Sequence, residues 1–504
     1  MGFAQVHSCA VLGLRAPQVT VEVHMANGLP SFTLVGLADT EVREARERVR
    51  SAIQNSGLMF PTNQRITVNL APADLPKDSG RFDLPIAMGI LAASGQVDAQ
   101  PLQNHVLAGE LSLSGELRPV RGALAMAMAL QQPGAPLKWV LPAQSAEEAA
   151  WLPGVQVYRA AHLRDVVQAL GASPGNQPTD GWQRLVTPSM PMPSAYAPDL
   201  QDVRGQTSAK RALEIAAAGG HSLLMVGPPG SGKSMLAQRL VGLLPRLDDA
   251  QALASAAILS LAGHFSPAHW GHRVFRQPHH SATMAALVGG GVPPRPGEIS
   301  LAHHGVLFLD ELPEFSRHAL EALREPLETA RISLARSGHQ VEYPAQFQLI
   351  AAMNPCPCGY LGANPSRCQC TPDQIQRYTA RLSGPLLDRI DLRVEVMSLS
   401  PAQLHLAPLA EGSDQVRKRC QAAHHIAMQR QGVANHALSP SQLERLAIAP
   451  VAHKHLLTFA EAHGLSARAV HRSLRVAQTI ADLDGAGQIE QAHMAQALHF
   501  RHSA

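Results

Sequence analysis

In the stretch Gly227-Pro-Pro-Gly-Ser-Gly-Lys-Ser234, three glycines precede a lysine and a hydroxyl side chain. The stretch follows the apolar run Leu223-Leu-Met-Val226, which is typical of a buried strand, and leads into an apolar-periodic segment from Met235 to Leu244. Between a strand and a helix, such glycines let backbone N–H groups and the helix N-terminus face one phosphate group. We expect Lys233 to reach the β- and γ-phosphates and Ser234 to bind Mg²⁺. The alternative is an ordinary strand-to-helix turn.

Two more apolar runs end in polar side chains of the kind that a phosphate site needs. Val306-Leu-Phe-Leu309 precedes Asp310 and Glu311, and a parallel sheet delivers site residues at the carboxyl ends of its strands. We expect Asp310 to hold the Mg²⁺ shell and Glu311 to orient and deprotonate a water molecule; the alternative is a solvated acidic turn. The run Phe347 to Met353 ends at Asn354, whose amide would position that water. The pattern predicts hydrolysis of a nucleoside triphosphate. The residues predicted to bind the nucleotide and its metal ion are Gly227, Pro228, Pro229, Gly230, Ser231, Gly232, Lys233, Ser234 and Asp310.

Composition places the chain among globular proteins of two or three domains, with 504 residues, 45% hydrophobic and 16% charged. The net charge of +3 neither requires nor excludes a nucleic-acid partner. No apolar run approaches the length of a membrane span, and the N-terminus lacks the basic region of a secretory signal. We therefore expect a cytoplasmic protein that does not bind a membrane.

Secondary-structure patterns divide the chain into four segments. Alternating strand and helix patterns predict an α/β domain over residues 1–170, and prolines predict a linker over residues 171–198. Residues 199–397 are predicted to form an α/β nucleotide-binding core with a parallel sheet. Helical periodicity then predicts a small helical lid over residues 398–504.

Four of the six cysteines lie close together in two Cys-x-Cys pairs, Cys356-Pro-Cys358 and Cys368-Gln-Cys370. Four thiolates can complete a tetrahedral Zn²⁺ shell, and such a shell leaves no open position for catalysis. The common finger spacing has two or more residues between paired ligands, so reduced free thiols and disulfides stay open as alternatives. The cluster predicts a structural Zn²⁺ site directly after Asn354.

Several long motifs resemble those of the Mg-chelatase-like AAA+ ATPases of the YifB/ComM family. They are Phe275-Arg-Gln-Pro-His-His-Ser-Ala282, Val288-Gly-Gly-Gly291, Pro296-Gly-Glu-Ile-Ser-Leu-Ala302, Leu309-Asp-Glu-Leu-Pro-Glu314 and Met353-Asn-Pro-Cys-Pro-Cys-Gly-Tyr360. The resemblance implies an AAA+ P-loop ATPase core with a parallel sheet and a C-terminal helical lid. It also implies a hexameric helicase that uses ATP and Mg²⁺ to drive branch migration of recombination intermediates during natural transformation. Its partners would be single-stranded and branched DNA, bound without sequence preference, and further copies of the chain.

The same resemblance assigns roles to two arginines. Arg389 would act across a subunit boundary as an arginine finger, neutralising charge that develops on the transferred phosphoryl group. From the sequence alone, Arg389 could equally lie at the surface in an ion pair with Asp388 or Asp391. Because a finger that acts on a neighbour requires a closed ring, the hexamer and the role of Arg389 depend on each other.

The resemblance implies that Arg468 is the second sensor of the helical lid. It lies in the segment Leu465-Ser-Ala-Arg468. Two other arginines of the same segment of chain, Arg472 and Arg475, compete with it for that role.

Candidate DNA contacts lie in a predicted hairpin over residues 331–343, in which two alternating strands surround a Ser-Gly turn. Related ATPases aim such a hairpin into the central pore, where Arg336 and His339 at its tip would meet phosphate without reading sequence. The alternative is an ordinary solvated turn. Adjacent His279 and His280 would point to opposite faces of a strand, which favours a structural or pore-lining role over metal binding.

The first domain resembles the proteolytic domain of Lon, which has a ribosomal S5-like fold, so an ATP-dependent Ser-Lys protease is a rival interpretation. The matching segments are Pro76-Lys-Asp-Ser-Gly-Arg-Phe-Asp83 and Gly109-Glu-Leu-Ser-Leu-Ser-Gly115. Such a protease needs a serine nucleophile and a nearby lysine base. The serine position falls within Arg81-Phe-Asp83 and the lysine position within Gly122-Ala-Leu124, and Lys77 and Ser79 are poorly spaced for a dyad. We expect the fold without the peptidase chemistry.

A metal-chelatase motor is the third interpretation, because the magnesium-inserting enzyme of tetrapyrrole synthesis has a similar ATPase core. Its small subunit is not expected to carry this first domain or the four-cysteine loop. The sequence also offers no porphyrin site.

Overall fold

The computed structural model describes residues 2–36, 40–75, 77, 80–130, 138–171, 180–188, 198–291, 294–336, 339–362, 367–398 and 411–502. Within those ranges the chain forms two sheets flanked by helices and ends in a helical segment. The predicted α/β fold class is confirmed. Among the helices of these ranges, none combines the length and the apolar composition that a membrane span requires.

An eight-stranded sheet forms the centre of the first domain, in the order β10-β9-β8-β5-β1-β2-β4-β3. The strands are β1 (Gly2–Cys9), β2 (Gln18–Asn27), β3 (Ser31–Val35), β4 (Gln64–Ala71), β5 (His105–Leu107), β8 (Lys138–Pro142), β9 (Gln156–Ala160) and β10 (Gln183–Leu185), with β6 (Glu110–Leu111) and β7 (Leu117–Arg118) in a separate short ribbon. The helices are α1 (Thr40–Asn55), α2 (Asp83–Ala93), α3 (Ala123–Ala129), α4 (Ala143–Ala149) and α5 (Leu163–Leu170). Nine consecutive residues from Asp83 to Leu91 of α2 are buried, because this helix packs against β1 and β2 on one side and α1 on the other. A helix that is apolar on every face is stable only inside a core.

The predicted linker differs from the structure at one point. Within residues 171–198, the segment Gln183–Leu185 forms β10, which pairs antiparallel with β9 at the edge of the sheet. Trp182 stacks on Tyr158 with ring centroids 5.1 Å apart, and this contact holds the segment against the first domain. Residues 172–179 and 189–197 of the predicted linker lie outside the described ranges.

The second sheet is fully parallel, in the order β12-β15-β18-β11-β19. Its strands are β11 (Leu223–Val226), β12 (Phe275–Arg276), β15 (Val306–Leu309), β18 (Gln348–Met353) and β19 (Leu392–Glu395). Two hairpins stand apart from it, formed by β13 (Gly289–Gly290) with β14 (Arg295–Pro296) and by β16 (Arg331–Arg336) with β17 (His339–Pro344). The helices are α6 (Thr207–Gly219), α7 (Lys233–Leu240), α8 (Asp249–Ala262), α9 (Met284–Val288), α10 (Glu298–Leu301), α11 (Arg317–Glu321), α12 (Arg324–Thr329), α13 (Pro372–Thr379) and α14 (Gly384–Leu387). Because these strands are parallel, their carboxyl ends lie at one edge of the sheet and their amino ends at the other.

Helices alone form the last segment: α15 (Ser413–Gln431), α16 (Pro440–Leu443), α17 (Pro450–His463), α18 (Ala467–Leu483) and α19 (Gln491–His502). The apolar face predicted for this segment is buried or half-buried in the same cluster as α6, β11 and β19. The residues of that face are Leu456, Phe459, Leu465, Val470, Leu474, Ala477 and Ile480. The helical segment therefore shares its core with the nucleotide-binding domain.

Direct contacts join the first domain to the core. Helix α8 lies against α3, where the Gly122 N–H donates to the Ser260 carbonyl at 3.0 Å and the Ser260 hydroxyl donates to Glu148 at 2.7 Å. Trp151 stacks on Trp270 with ring centroids 4.7 Å apart. These contacts fix how the first domain faces the two hairpins of the core.

Candidate nucleotide site and cysteine cluster

The glycine-rich loop between β11 and α7 has the backbone shape that phosphate binding requires. Gly230 and Gly232 have φ angles of +74° and +94°, which side chains with a Cβ adopt at a cost. A Cβ on Gly227 would lie 2.2 Å from the carbonyl oxygen of Val396, so only glycine fits where the loop leaves the strand. The buried hydroxyl of Ser231 in the same loop has no hydrogen-bond partner. A phosphate oxygen would fit both the loop and that hydroxyl.

Lys233 is held at the centre of this loop. Its Nζ donates to the carbonyls of Gly227 at 2.7 Å and Pro228 at 3.0 Å, and to Asn354 Oδ1 at 3.1 Å. Burial lowers the pKa of Lys233, while the carboxylates of Asp310 and Glu311 oppose that shift. Phosphate groups would add acceptors beside an ammonium group that is already positioned.

Ser234 and Asp310 meet as a pair suited to one metal ion. The Ser234 hydroxyl donates to Asp310 Oδ2 at 2.6 Å, across the space between α7 and the end of β15. A hydroxyl and a carboxylate are oxygen ligands of the type that Mg²⁺ prefers, together with water and substrate phosphates. The residues therefore fit Mg²⁺ bound to a nucleotide.

Glu311 follows Asp310 in a left-handed backbone conformation, with φ of +52°. This conformation costs an ordinary side chain about 1–2 kcal/mol, so the surrounding structure must enforce it. The Glu311 N–H donates to Asp310 Oδ1 at 2.9 Å, and Glu311 Oε2 lies 2.9 Å from Nδ1 of His280. His280 thus holds the carboxylate that is predicted to activate water.

His279 and His280 do not lie in a strand, contrary to the sequence-based interpretation. They follow β12 in a turn, and their rings lie 4.1 Å apart. Because β12 ends at the same edge of the sheet as β15, His280 can reach Glu311. Three residues separate His280 from the two-residue strand β12, so no strand-end pattern in the sequence could have identified it.

A cavity of about 800 Å³ opens between the start of α6 and the helical segment. Gln206 joins it to the phosphate loop, since its Nε2 donates to the Ser231 carbonyl at 3.3 Å and to the Met397 carbonyl at 2.6 Å. Phe459 and His463 form a stacked pair in its wall. The cavity is large enough for a base and a sugar, and the stacked rings offer an aromatic surface. Gln206 and this wall were missed from the sequence because no motif spacing links residues so far apart in the chain.

Arg389 lies at the opposite edge of the sheet from Lys233. Its carbonyl accepts from the hydroxyl of Ser222, which precedes β11, so Arg389 stands about 13 Å from the loop that follows this four-residue strand. Its side chain is 6% exposed and forms an ion pair with Glu328. The expected alternative pairs with Asp388 or Asp391 do not form, because Asp388 pairs with Arg501 and Asp391 with Arg472.

Arg468 lies beside Arg389, and the same Glu328 carboxylate is 3.5 Å from it. Its side chain is 70% exposed. The two competing arginines have internal partners: Arg472 donates to Asp391 at 2.5 Å, and Arg475 donates to the Leu438 carbonyl. Burial alone would raise the pKa of Asp391, but the Arg472 guanidinium holds it well below its usual range. Of the three candidates, Arg468 is the one whose guanidinium faces outward.

The four clustered cysteines converge, and their sulfur atoms all lie within 4.8 Å of one another. The Cys356 and Cys358 sulfurs are 3.4 Å apart, and Cys368 lies 3.8 Å and 3.7 Å from them. Four sulfurs at about 2.3 Å from one Zn²⁺ would lie about 3.8 Å apart, so the spacing fits a tetrahedral ion. A hydrogen bond from the Tyr360 backbone lowers the pKa of Cys358 to about 6, which favours the thiolate that binds metal.

The cysteine loop touches the phosphate loop directly. Gly359, with φ of +83°, lies so close to Pro229 that a Cβ there would be 2.5 Å from the proline ring. The same glycine lies near Asn354, two residues before the first cysteine. Any change in the shape of the cysteine loop would therefore be transmitted to Pro229 and Asn354.

The hairpin predicted over residues 331–343 is confirmed as β16 and β17, with Arg336 opposite His339 in the backbone register. The side chains of these two residues, predicted to contact DNA, lie outside the described part of the chain, as does the turn between them.

In the first domain, Lys77 is buried and its ammonium donates to the Pro72 carbonyl. Burial lowers the pKa of Lys77, while its possible partner Ser79 also lies outside the described residues.

Comparison with known proteins covers the full chain. A family model described as magnesium chelatase, subunit ChlI, matches residues 199–404, and its C-terminal counterpart matches residues 410–501. A third model, described as subunit ChlI of Mg-chelatase, matches residues 21–145. The expectation that a chelatase subunit would lack this first domain is therefore not supported.

Three relatives are similar over 99% of this chain. They are YifB of Salmonella typhimurium, with 48% identity over 97% of its length, the competence protein ComM of Haemophilus influenzae, with 48% over 98%, and YifB of Escherichia coli, with 47% over 97%. Identity at this level over nearly whole chains, together with the chelatase domains, shows the family. The chain belongs to the YifB/ComM family of Mg-chelatase-like AAA+ proteins.

Proposed function

We propose that this protein is an ATP-driven, Mg²⁺-dependent hexameric motor that moves branch points in DNA during the integration of transforming DNA. The observation that carries the proposal is the convergence of nucleotide-binding and water-activating side chains at one edge of the parallel sheet. These side chains are Lys233, Ser234, Asp310, Glu311 and Asn354. The similarity to a competence protein supports DNA as the substrate.

Each residue of this site has a proposed task. Lys233 would neutralise the β- and γ-phosphates, and Ser234 with Asp310 would hold the Mg²⁺, whose positive charge would help to stabilise the phosphates. Glu311 takes a proton from the attacking water, and Asn354 orients that water from the neighbouring strand. His280 holds Glu311 at 2.9 Å until a nucleotide and water arrive.

The site is proposed to be completed by a neighbouring subunit. Arg389 and Arg468 meet at Glu328 on the far edge of the sheet, so they cannot reach the nucleotide of their own chain. In a closed ring, that edge faces the nucleotide of the next subunit. Both arginines would then leave Glu328 and pair with the phosphates of the neighbour, giving one finger and one sensor in trans.

A strand-exchange assay tests the function as a whole. With ATP and Mg²⁺, the wild-type protein is expected to move three-strand and four-strand DNA junctions, and Lys233→Ala is expected to move neither. Lys418→Ala, an exposed lysine of α15, is the matched control and should retain activity. Absence of ATP-dependent junction movement by the wild-type ring would refute the proposal in favour of a peptidase or a chelatase, neither of which has a reason to move DNA.

We further propose that the four-cysteine loop holds one structural Zn²⁺. The ion would fix the exit of β18 and, through Gly359, the position of Pro229 in the phosphate loop. Cysteine ligands leave it no open coordination position, so the reaction does not pass through it.

Metal analysis of purified protein is expected to give one zinc per chain. Cys368→Ser should lose the metal. A decrease of about 2 kcal/mol in the free energy of unfolding of the core would lower the Tm by about 4–8 °C. Cys420→Ala, which changes a buried cysteine of α15 far from the loop, should keep the metal. Zinc-free protein in which all four thiols react freely would rule out the site.

A further inference from the structure

A cavity of about 320 Å³ lies on the seam between the first domain and the nucleotide-binding core. We call it the seam cavity; its lining includes Gly13, Arg81, Glu110 and Arg121 from the first domain and Arg295 and Tyr343 from the core. Gly13 packs directly on β17, where a Cβ with its φ of +61° would lie 2.6 Å from Val341 and 3.6 Å from Tyr343. The cavity is therefore bounded by the hairpin that is expected to face DNA.

The charge of the lining is strongly unbalanced. Three guanidinium groups face the cavity against one carboxylate, that of Glu110. Glu110 also has a cationic neighbour outside the lining, since Arg118 lies 3.7 Å from it. Arginine pairs with phosphate through two parallel N–H bonds, which makes a group of arginines in a concave site typical of phosphate recognition.

Burial of Arg81 strengthens the electrostatic attraction between the cavity and an anion. Arg81 is 4% exposed in the floor of the cavity, while Arg121 and Arg295 are exposed at its rim. A cation in a site of low dielectric is stabilised by an anion much more than the same cation in water. The volume of the seam cavity lies at the small end of the range for ligand sites. It is enough for a phosphate with the sugar attached to it.

The lining of the cavity includes residues from both segments that resemble the proteolytic domain of Lon. The resemblance to Lon places the serine within the three residues that begin at Arg81, and it places the lysine within the three residues that follow Arg121. Asp83, two residues after Arg81, accepts a hydrogen bond from Arg48 Nε at 2.7 Å. The cavity thus has cationic walls and no described nucleophile.

We propose that the seam cavity binds a phosphate group, and that in the working ring this phosphate belongs to the backbone of a DNA strand. The choice of DNA over a free phosphate compound rests on the proposed function; the phosphate chemistry rests on the arginines alone. DNA that passes β16 and β17 would be held at the seam, in contact with both the first domain and the core.

The test neutralises the two rim arginines, which are exposed and so should not impair folding. The double variant Arg121→Gln/Arg295→Gln is compared with Arg65→Gln, an exposed arginine of β4 outside the lining, each in a Glu311→Gln background saturated with ATP and Mg²⁺. Filled nucleotide sites prevent added phosphate from binding there. The probes are a labelled oligothymidylate, followed by anisotropy over a range of salt concentrations, and inorganic phosphate, followed by the Tm.

The double variant is expected to bind the oligonucleotide about tenfold or more weakly. The slope of log K against log salt should fall by about 1.4, since each phosphate contact to a single strand contributes about 0.7. Phosphate should raise the Tm of the parent but not that of the double variant, and Arg65→Gln should behave like the parent.

Loss of phosphate stabilisation with unchanged oligonucleotide binding would support the phosphate site and overturn its assignment to DNA. Equal effects of the double variant and Arg65→Gln, or no effect on either probe, would overturn the site itself. The assay needs no junction movement. A protein that binds at the seam but moves no junction contradicts the proposed function alone, and one that moves junctions but binds equally well without both arginines contradicts this inference alone.

Discussion

Glu311→Gln is expected to bind ATP as the wild type does and to hydrolyse it about 10²–10⁴-fold more slowly. Glutamine has the size of glutamate but cannot accept a proton from water, so the variant removes the base and leaves the shape of the site. The amide can still hydrogen-bond to His280, which lies 2.9 Å from the carboxylate. Phosphate release in the steady state measures turnover, and titration with a fluorescent ATP analogue measures binding.

Glu325→Gln provides the matched control for that variant. Glu325 is an exposed carboxylate of α12 in the same segment of chain, and its replacement should leave both turnover and binding unchanged. Turnover near the wild-type value in Glu311→Gln would show that another group activates the water.

Arg389→Ala is expected to lower ATP turnover about 10³-fold or more. Arginine fingers make a contribution of this size in other phosphoryl-transfer enzymes. Binding of ATP should persist, because Lys233 and the glycine loop are untouched and lie at the other edge of the sheet. Stability should fall modestly, since the Arg389 side chain is 6% exposed and its packing is lost, whereas Glu328, the ion-pair partner left behind, is 45% exposed and can be solvated. Turnover, ATP binding and thermal unfolding of one preparation together check this expectation.

Arg381→Ala is a suitable control for Arg389→Ala. Arg381 forms a half-exposed pair with Glu314 in the same domain, so its loss removes one positive charge without touching the proposed interface. If the control lost as much turnover as Arg389→Ala, general charge rather than a finger would explain the effect.

The nucleotide site could be predicted because each of its parts is local in sequence. An apolar strand followed by a polar group is a pattern of a few residues, and three such patterns end at one edge of a parallel sheet. Lys233, Ser234, Asp310, Glu311 and Asn354 are therefore brought together as expected. The cysteine cluster was predictable for the same reason, because both pairs lie in one loop.

Contacts between distant segments could not be predicted in this way. His280 and Glu311 follow two different strands, and Glu328 is shared by arginines from two further segments, so no spacing links these residues. Strand β10 was missed because prolines dominate the composition around it, while its place depends on one stacked pair, Trp182 with Tyr158. Composition cannot reveal an interaction that exists only after the sheet has formed.

The seam cavity is the clearest example of a site that sequence patterns could not predict. Its three arginines are separated by dozens to hundreds of residues, and none belongs to a motif that marks a phosphate site. The packing of Gly13 on β17 and of α8 on α3 helps to bring their segments together. Residues of this kind become visible once the two domains are placed against each other.

Mixed rings show whether each nucleotide site is completed by the next subunit. Lys233→Ala and Arg389→Ala are each expected to be inactive, but equal mixing places an intact loop beside an intact arginine at about a quarter of the junctions. Turnover should then rise well above that of either variant alone. Turnover that stays at the sum of the two variants, in assemblies shown by mass to contain both, would contradict a shared site.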